Sequence, residues 1–175
     1  MLFRSGVVDL ERYASRGREL YASRCVLKRA FRTLGKGFFG MVAGDGLYAN
    51  KNDFELCMSQ GSHLLVKTDA ENLTAIQDAR YLFACGHGIK ESGWDQARNL
   101  DYETETIEGV VWQGLNLTVT HVKERKENKT EWTGFWILTT AEDYGGEDLR
   151  ELAHLRWRIE NHVFKRLNQL VGSKR

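Results

Sequence analysis

Two carboxylates and an arginine carry the chemistry most worth weighing in this chain. Asp45 follows the apolar run Phe38 to Ala43 and sits in the turn Gly44-Asp45-Gly46. An aspartate at the carboxyl end of a buried strand lies at the rim where α/β sheets collect ligands. Its oxygens suit Mg²⁺, which keeps water and phosphate in its other positions. Asp-Gly is also a common turn signal, so position alone leaves both a metal ligand and a strand cap open. Glu160 stands four residues after Arg156 in LRWRIENHVFKRLN, one helix face in a helical segment, beside Asn161 and Phe164. With Asp45 it would supply carboxylates that clamp two metal ions about 3.5 to 4 Å apart for in-line attack on a phosphodiester. The plainer alternative is a surface Arg-Glu pair worth about 0.2 to 0.5 kcal/mol.

Basic residues gather around that glutamate. From Arg150 to the end, Arg150, Arg156, Arg158, Lys165, Arg166, Lys174 and Arg175 face only Glu151 and Glu160. A helix with this excess and an interleaved Trp157 suits a phosphate backbone, or equally a solvated face. Over the whole chain, 25 basic and 24 acidic residues leave a formal charge of +1, so no global field draws it to nucleic acid or membrane. His63, His87, His121, His154 and His162 show no ligand spacing, and Cys85-Gly86-His87 reads as loop. Cys25, Cys57 and Cys85 form no CxxC pair, which argues against a disulfide framework or a zinc knuckle and for a reducing compartment. No Gly-rich phosphate loop, triad signature or HExxH is present, which disfavours an unrelated small-molecule enzyme.

The elements that must position these groups follow from periodicity. Leu20, Val26, Leu27, Ala30, Phe31 and Leu34 recur at helical intervals and stop at Gly35 and Gly37. Phe38 to Ala43 and His63 to Lys67 read as buried strands, joined by a helix that Asn52 or Asp53 would cap and that runs to about Gln60. This alternation predicts an α/β layer with partly parallel strands. Thr104 to Gly114, Leu115 to Arg125 and Thr130 to Thr140 alternate with period two, an antiparallel meander. From Gly146 a helical stripe of Leu152, Leu155, Ile159, Val163, Leu167 and Leu170 predicts one long helix, with Asp143, Glu147 and Asp148 near the positive end of its dipole. The 175 residues suit one domain, and proline is absent, so the 17 glycines carry most of the turns.

Together these segments resemble the DDE transposases of the insertion-sequence-four family, whose catalytic core resembles ribonuclease H. MVAGDGLYAN resembles the motif around the second aspartate, an apolar strand followed by D-x-x-Y, with Asp45 as metal ligand and Tyr48 as the aromatic. LRWRIENHVFKRLN is similar to the glutamate signature, with Arg156 as its arginine and Glu160 as the third acidic ligand. Ala153 and Leu167 stand where that signature has tyrosine and lysine, and Lys165 or Arg166 would take over the phosphate grip.

The resemblance implies an α/β chain: a partial ribonuclease H-like core over 1–100 and 141–175, its first strands missing, with an antiparallel β insertion at about 101–140 before the C-terminal catalytic helix. It implies Asp45 and Glu160 as catalytic and metal-binding residues for two Mg²⁺ (or Mn²⁺). Arg156, Arg158, Lys165, Arg166 and Tyr48 would contact DNA or phosphate. The implied substrate is the double-stranded DNA of transposon ends, with a homodimer in the synaptic complex left open, in a cytoplasmic, nucleoid-associated protein. The family's first aspartate falls upstream of a segment resembling Val7 to Glu19, where Asp9 and GRELYAS match the third strand and its helix. The expectation is a truncated transposase that alone cuts DNA barely or not at all; the alternative is an inactive DNA-binding remnant.

Overall fold

The structure, a computed structural model, describes residues 18–155. Helix α1 (Glu19–Leu34) ends where the sequence predicts: Gly35 takes φ +93° and its N–H donates to the Phe31 carbonyl at 2.9 Å. Strand β1 (Met41–Asp45) starts later than its apolar run, because Phe38 and Phe39 turn aside. Their rings meet edge to face at 5.1 Å, and Phe39 packs on Phe31 of α1 at 5.7 Å. A single 3₁₀ turn (Gly46–Tyr48) leads to α2 (Lys51–Ser59), then β2 (His63–Thr68) and α3 (Thr74–Ala84). The α2 cap is Asn50, one of the residues preceding those expected: its side chain accepts from the Asp53 N–H at 3.2 Å. Asp53 itself is buried and pairs with Arg24 of α1, which also donates to Asn50 Oδ1 at 2.9 Å.

The meander holds one strand more than the period-two pattern predicts: β3 (Ile89–Asp95), β4 (Leu100–Trp112), β5 (Leu115–Lys126) and β6 (Thr133–Thr139). All six strands form one mixed sheet in the order β1-β2-β6-β5-β4-β3. β1 and β2 are parallel, from Met41↔His63 to Asp45↔Lys67, and the other pairings are antiparallel. β6 is the joint, bonded to β2 on one side and to β5 on the other.

Each sheet face buries its own cluster. On one face, Phe54 and Cys57 of α2 and Ala75, Ile76 and Ala79 of α3 meet Leu64, Val66, Val119, Trp136 and Leu138 of the sheet. On the other, a helix that begins at residue 146 and continues to 155, the last described, sets Leu149 and Ala153 against Leu65, Val122, Phe135 and Ile137. This helix is called α4 below. No helix among the described residues is long and apolar enough to cross a membrane.

Threonines on that second face hold the approach to α4. Thr118 donates to the Ala141 carbonyl at 2.7 Å, Ala141 N–H donates to Thr139 Oγ1 at 3.1 Å, and the Thr106 and Thr120 hydroxyls lie 3.0 Å apart. Gly146, the first α4 residue, rests directly on Thr104 and Thr106, and a Cβ there would come 2.8 Å from Thr106 Oγ1. Gly146→Ala is therefore expected to lower stability by about 1 to 3 kcal/mol through overpacking, against a helix-propensity gain of about 1 kcal/mol. Urea unfolding reads the balance; a midpoint that rises would show that the threonines yield at little cost.

Candidate functional site

Asp45 closes β1 at the carboxyl rim of the two parallel strands. Its Oδ1 accepts from the Leu47 N–H at 3.0 Å, so the turn-capping role is real and uses one oxygen of the carboxylate. Gly46 lies against Thr68 at the end of β2, and Thr68 Oγ1 accepts from the Ala70 N–H at 3.0 Å. Both strand ends thus turn tightly at this rim.

The face on which Asp45 stands follows from register. It is opposite Lys67, whose ammonium lies 3.7 Å from the centre of the Phe135 ring. Phe135 belongs to the cluster under α4, together with Met41, which alternation puts on the same side of β1 as Asp45. Asp45 and α4 therefore share one face. The helix also travels toward the right rim: Gly146 rests on Thr104 and Thr106 of β4, whereas His154 meets the Phe135 ring of β6 at 5.9 Å. Since Thr68 pairs with Trp136, Phe135 lies just past the carboxyl end of β2.

Tyr48 turns to the other side. Its ring lies on Gly44, where a Cβ would be 2.8 Å from Tyr48 Cδ2, and it packs beside the α2 and α3 core. Burial first of all raises its pKa, and its hydroxyl is hydrogen-bonded to Ser23 of α1. Here it fastens α1 to the strand end. Glu160, Arg156, Arg158, Lys165 and Arg166 lie outside the described residues. Among the described residues no three His, Cys, Asp or Glu side chains gather as a metal site.

A charge cluster that sequence reasoning missed fixes the start of α4. Arg150, counted there in a basic excess facing either phosphate or solvent, is 1% exposed. Its Nε donates to Glu124 of β5 at 2.6 Å, Nη2 to Asp95 of β3 at 2.8 Å and Nη1 to Glu151 at 2.9 Å, and its guanidinium carbon lies 4.5 Å from the centre of the Tyr102 ring. That charge is consumed inside the protein. Arg98 bridges Asp95 and Glu151, and His154 Nε2 lies 2.6 Å from Glu124. Burial opposes the Asp95 charge, but hydrogen bonds from Arg150 and Arg98 outweigh it and hold the carboxyl well below its usual range. Glu124 is likewise lowered against burial, by His154 and Arg150. Beside them Tyr102 is pushed up to about 12 by burial and by its hydrogen bond to Glu147. No signal in the sequence gives this cluster, because its members come from separate strands and one helix.

On the opposite face, Trp136 is stacked with His121 at 4.2 Å and with Phe83 at 6.3 Å, with the Arg80 guanidinium 5.3 Å away. A cleft of about 260 Å³ lined by Asp69, Glu71, His121, Lys123 and Trp132 adjoins it. Burial, with Lys123 and Arg80, pushes His121 down to about 4. No model of a known protein family matches the chain, and no curated protein matches it either.

Proposed function

We propose that this chain carries part of the metal-dependent active site of a DDE-type transposase with a ribonuclease H-like core, cleaving and joining DNA strands at transposon ends. The observation that carries the reading is that α4 lies on the same sheet face as Asp45 and runs toward the rim where Asp45 sits. Asp45 stands two strands beyond β6, about 10 Å at the usual strand spacing. Glu160 follows His154 by six residues in the sequence.

The donor set fits a hard divalent cation: two carboxylates, that of Asp45 half-buried at the sheet rim, with no sulfur or imidazole in the proposed pair. Asp45 and Glu160 would hold Mg²⁺ or Mn²⁺. When bound, such ions activate the attacking oxygen and offset charge on the leaving oxygen. Arg156, Arg158, Lys165 and Arg166 would neutralise and orient the DNA phosphates, giving a salt-dependent grip.

Mn²⁺ titration of the full chain, followed by the paramagnetic resonance of free Mn²⁺ with and without double-stranded DNA, tests the metal site. Asp45→Asn keeps an acceptor for the Leu47 N–H, so the turn survives while the negative ligand is lost. Asp45→Asn and Glu160→Gln should each weaken Mn²⁺ binding more than about tenfold, the lower end of what removing even an outer partner costs. Equal Mn²⁺ affinity in parent and variants removes the reading; DNA binding without metal binding favours a DNA-binding remnant instead.

A further inference from the structure

We infer that the outer edge of β3 pairs antiparallel with β3 of a second copy of this chain, about a two-fold axis through Ser92. The inference goes beyond the metal-site reading and does not depend on it. β3 ends the sheet, and among the described residues its backbone is bonded only through the ladder with β4, from Ile89↔Thr106 to Asp95↔Leu100. An edge strand presents a row of unpaired N–H and C=O groups, a template for another strand. α3 packs on β4 and β5, and α4 starts over β4 and runs toward β6, so both helices lie inward of this edge. Ile89 is 68% exposed and Trp94 46%, large apolar side chains that a strand laid alongside would cover.

Charge selects the occupant and the register. A two-fold axis normal to the sheet keeps every residue on its own face, so one residue of β3 must face its own copy. Only centres at Glu91, Ser92 or Gly93 pair most of the strand. A centre at Glu91 sets that carboxylate against itself, and a centre at Gly93 sets Glu91 against Asp95, like charges that oppose pairing. The centre at Ser92 has no such conflict. It pairs all seven residues: Ser92 with itself, Glu91 with the second copy's Gly93, Ile89 with its Asp95, and Lys90 with its Trp94. The last pair occurs twice and puts an ammonium beside the aromatic ring that attracts cations best. The charges that blunt this edge in other registers therefore admit one. A single added strand covers less than the standard interface of about 1,600 Å², so the pair should form and separate with concentration.

Sedimentation of the full chain from micromolar to millimolar concentration, joined to cross-linking and charge exchange at Ser92, tests this. The parent should pass from monomer to dimer. With the partly exposed Cys25 and the exposed Cys85 changed to serine and buried Cys57 kept, Ser92→Cys should link into a dimer on oxidation by diamide, because facing Cβ atoms lie about 5 Å apart. Glu103→Cys, three strand spacings or about 14 Å from its copy, should not. Ser92→Lys suits its own fold, since Ser92 faces Glu103 across the ladder, but it sets lysine against lysine in the dimer. It should keep the parent melting temperature and weaken the dimer about fivefold. Ser92→Glu should also weaken it, and an equal mixture of the two variants should pair again. Should Ser92→Lys fail to fold, the contrast between the two cysteine variants decides alone. A chain that stays monomeric throughout, as it would if another segment or another protein covered the edge, overturns the inference. So does a dimer that Glu103→Cys links as readily, or one indifferent to charge at Ser92.

Discussion

Replacing Arg150 with methionine is expected to lower the unfolding free energy by about 3 to 5 kcal/mol at neutral pH, the usual loss when one partner of a buried ion cluster is removed. Arg150 is 1% exposed, and methionine fills similar space, so the loss is electrostatic rather than a cavity. Its partners suffer unequally. Asp95 and Glu151 keep Arg98, whereas Glu124, 13% exposed, keeps only His154 among the described residues. Arg150→Met/Glu124→Leu should therefore recover much of the loss that Arg150→Met alone produces. The pH dependence has a definite sign. Asp95 and Glu124 have depressed pKa values in the fold, so their contribution is present above the unfolded carboxyl values of about 4 and is lost as pH falls below them. Urea unfolding at pH 7 and pH 3 should show a large gap between parent and Arg150→Met that narrows in acid. An equal gap at both values would mean that packing over Tyr102, not charge, had been removed.

What could be read from the sequence depended on whether a signal was local. The alternation of helix and buried strand through β2 was legible because Leu64, Leu65 and Val66 form a run buried on both faces. The meander was legible because β4 buries alternate side chains from Leu100 to Thr106, although β5 buries Leu117 to Thr120 in one run. β3 was not, since it is an edge strand whose residues are nearly all exposed and so show no alternation. α3 buries only Ala75, Ile76 and Ala79, too short a stripe to stand out. The strand-end position of Asp45 was legible because a strand and its turn flank it directly. Arg150 was counted in a basic excess read as facing either phosphate or solvent, and it does neither, because its three carboxylates come together only when β3, β5 and α4 assemble, a distance no spacing encodes. Charge counted along a helix does not distinguish an arginine spent inside from one left for a ligand.

Trp136→Ala should cost about 3 to 5 kcal/mol, the range for emptying a large aromatic from a core, and it should do so in one cooperative transition. β6 is hydrogen-bonded to β2 and to β5, so the parallel pair and the meander have no separate sheets into which to unfold. Trp136 reinforces that joint, because its ring is stacked with His121 of β5 and with Phe83 of α3. The same substitution has a second readout. His121 is held down to about 4, first by burial and then by Lys123 and Arg80, so the folded state resists protonation that the unfolded state accepts at about 6.5. A folded value below the unfolded one means that this contribution is complete above about 6.5 and drains away as pH falls toward 4. Removing the indole admits water to the His121 ring, so its pKa should climb toward the ordinary value and the stability change between pH 7.5 and 5 should flatten. Proton resonances of His121 give the first quantity and urea unfolding at the two pH values the second. If His121 still titrates near 4 in Trp136→Ala, the two cations and not the stacked ring set its pKa, because charge acts across the space that the indole leaves whereas desolvation does not.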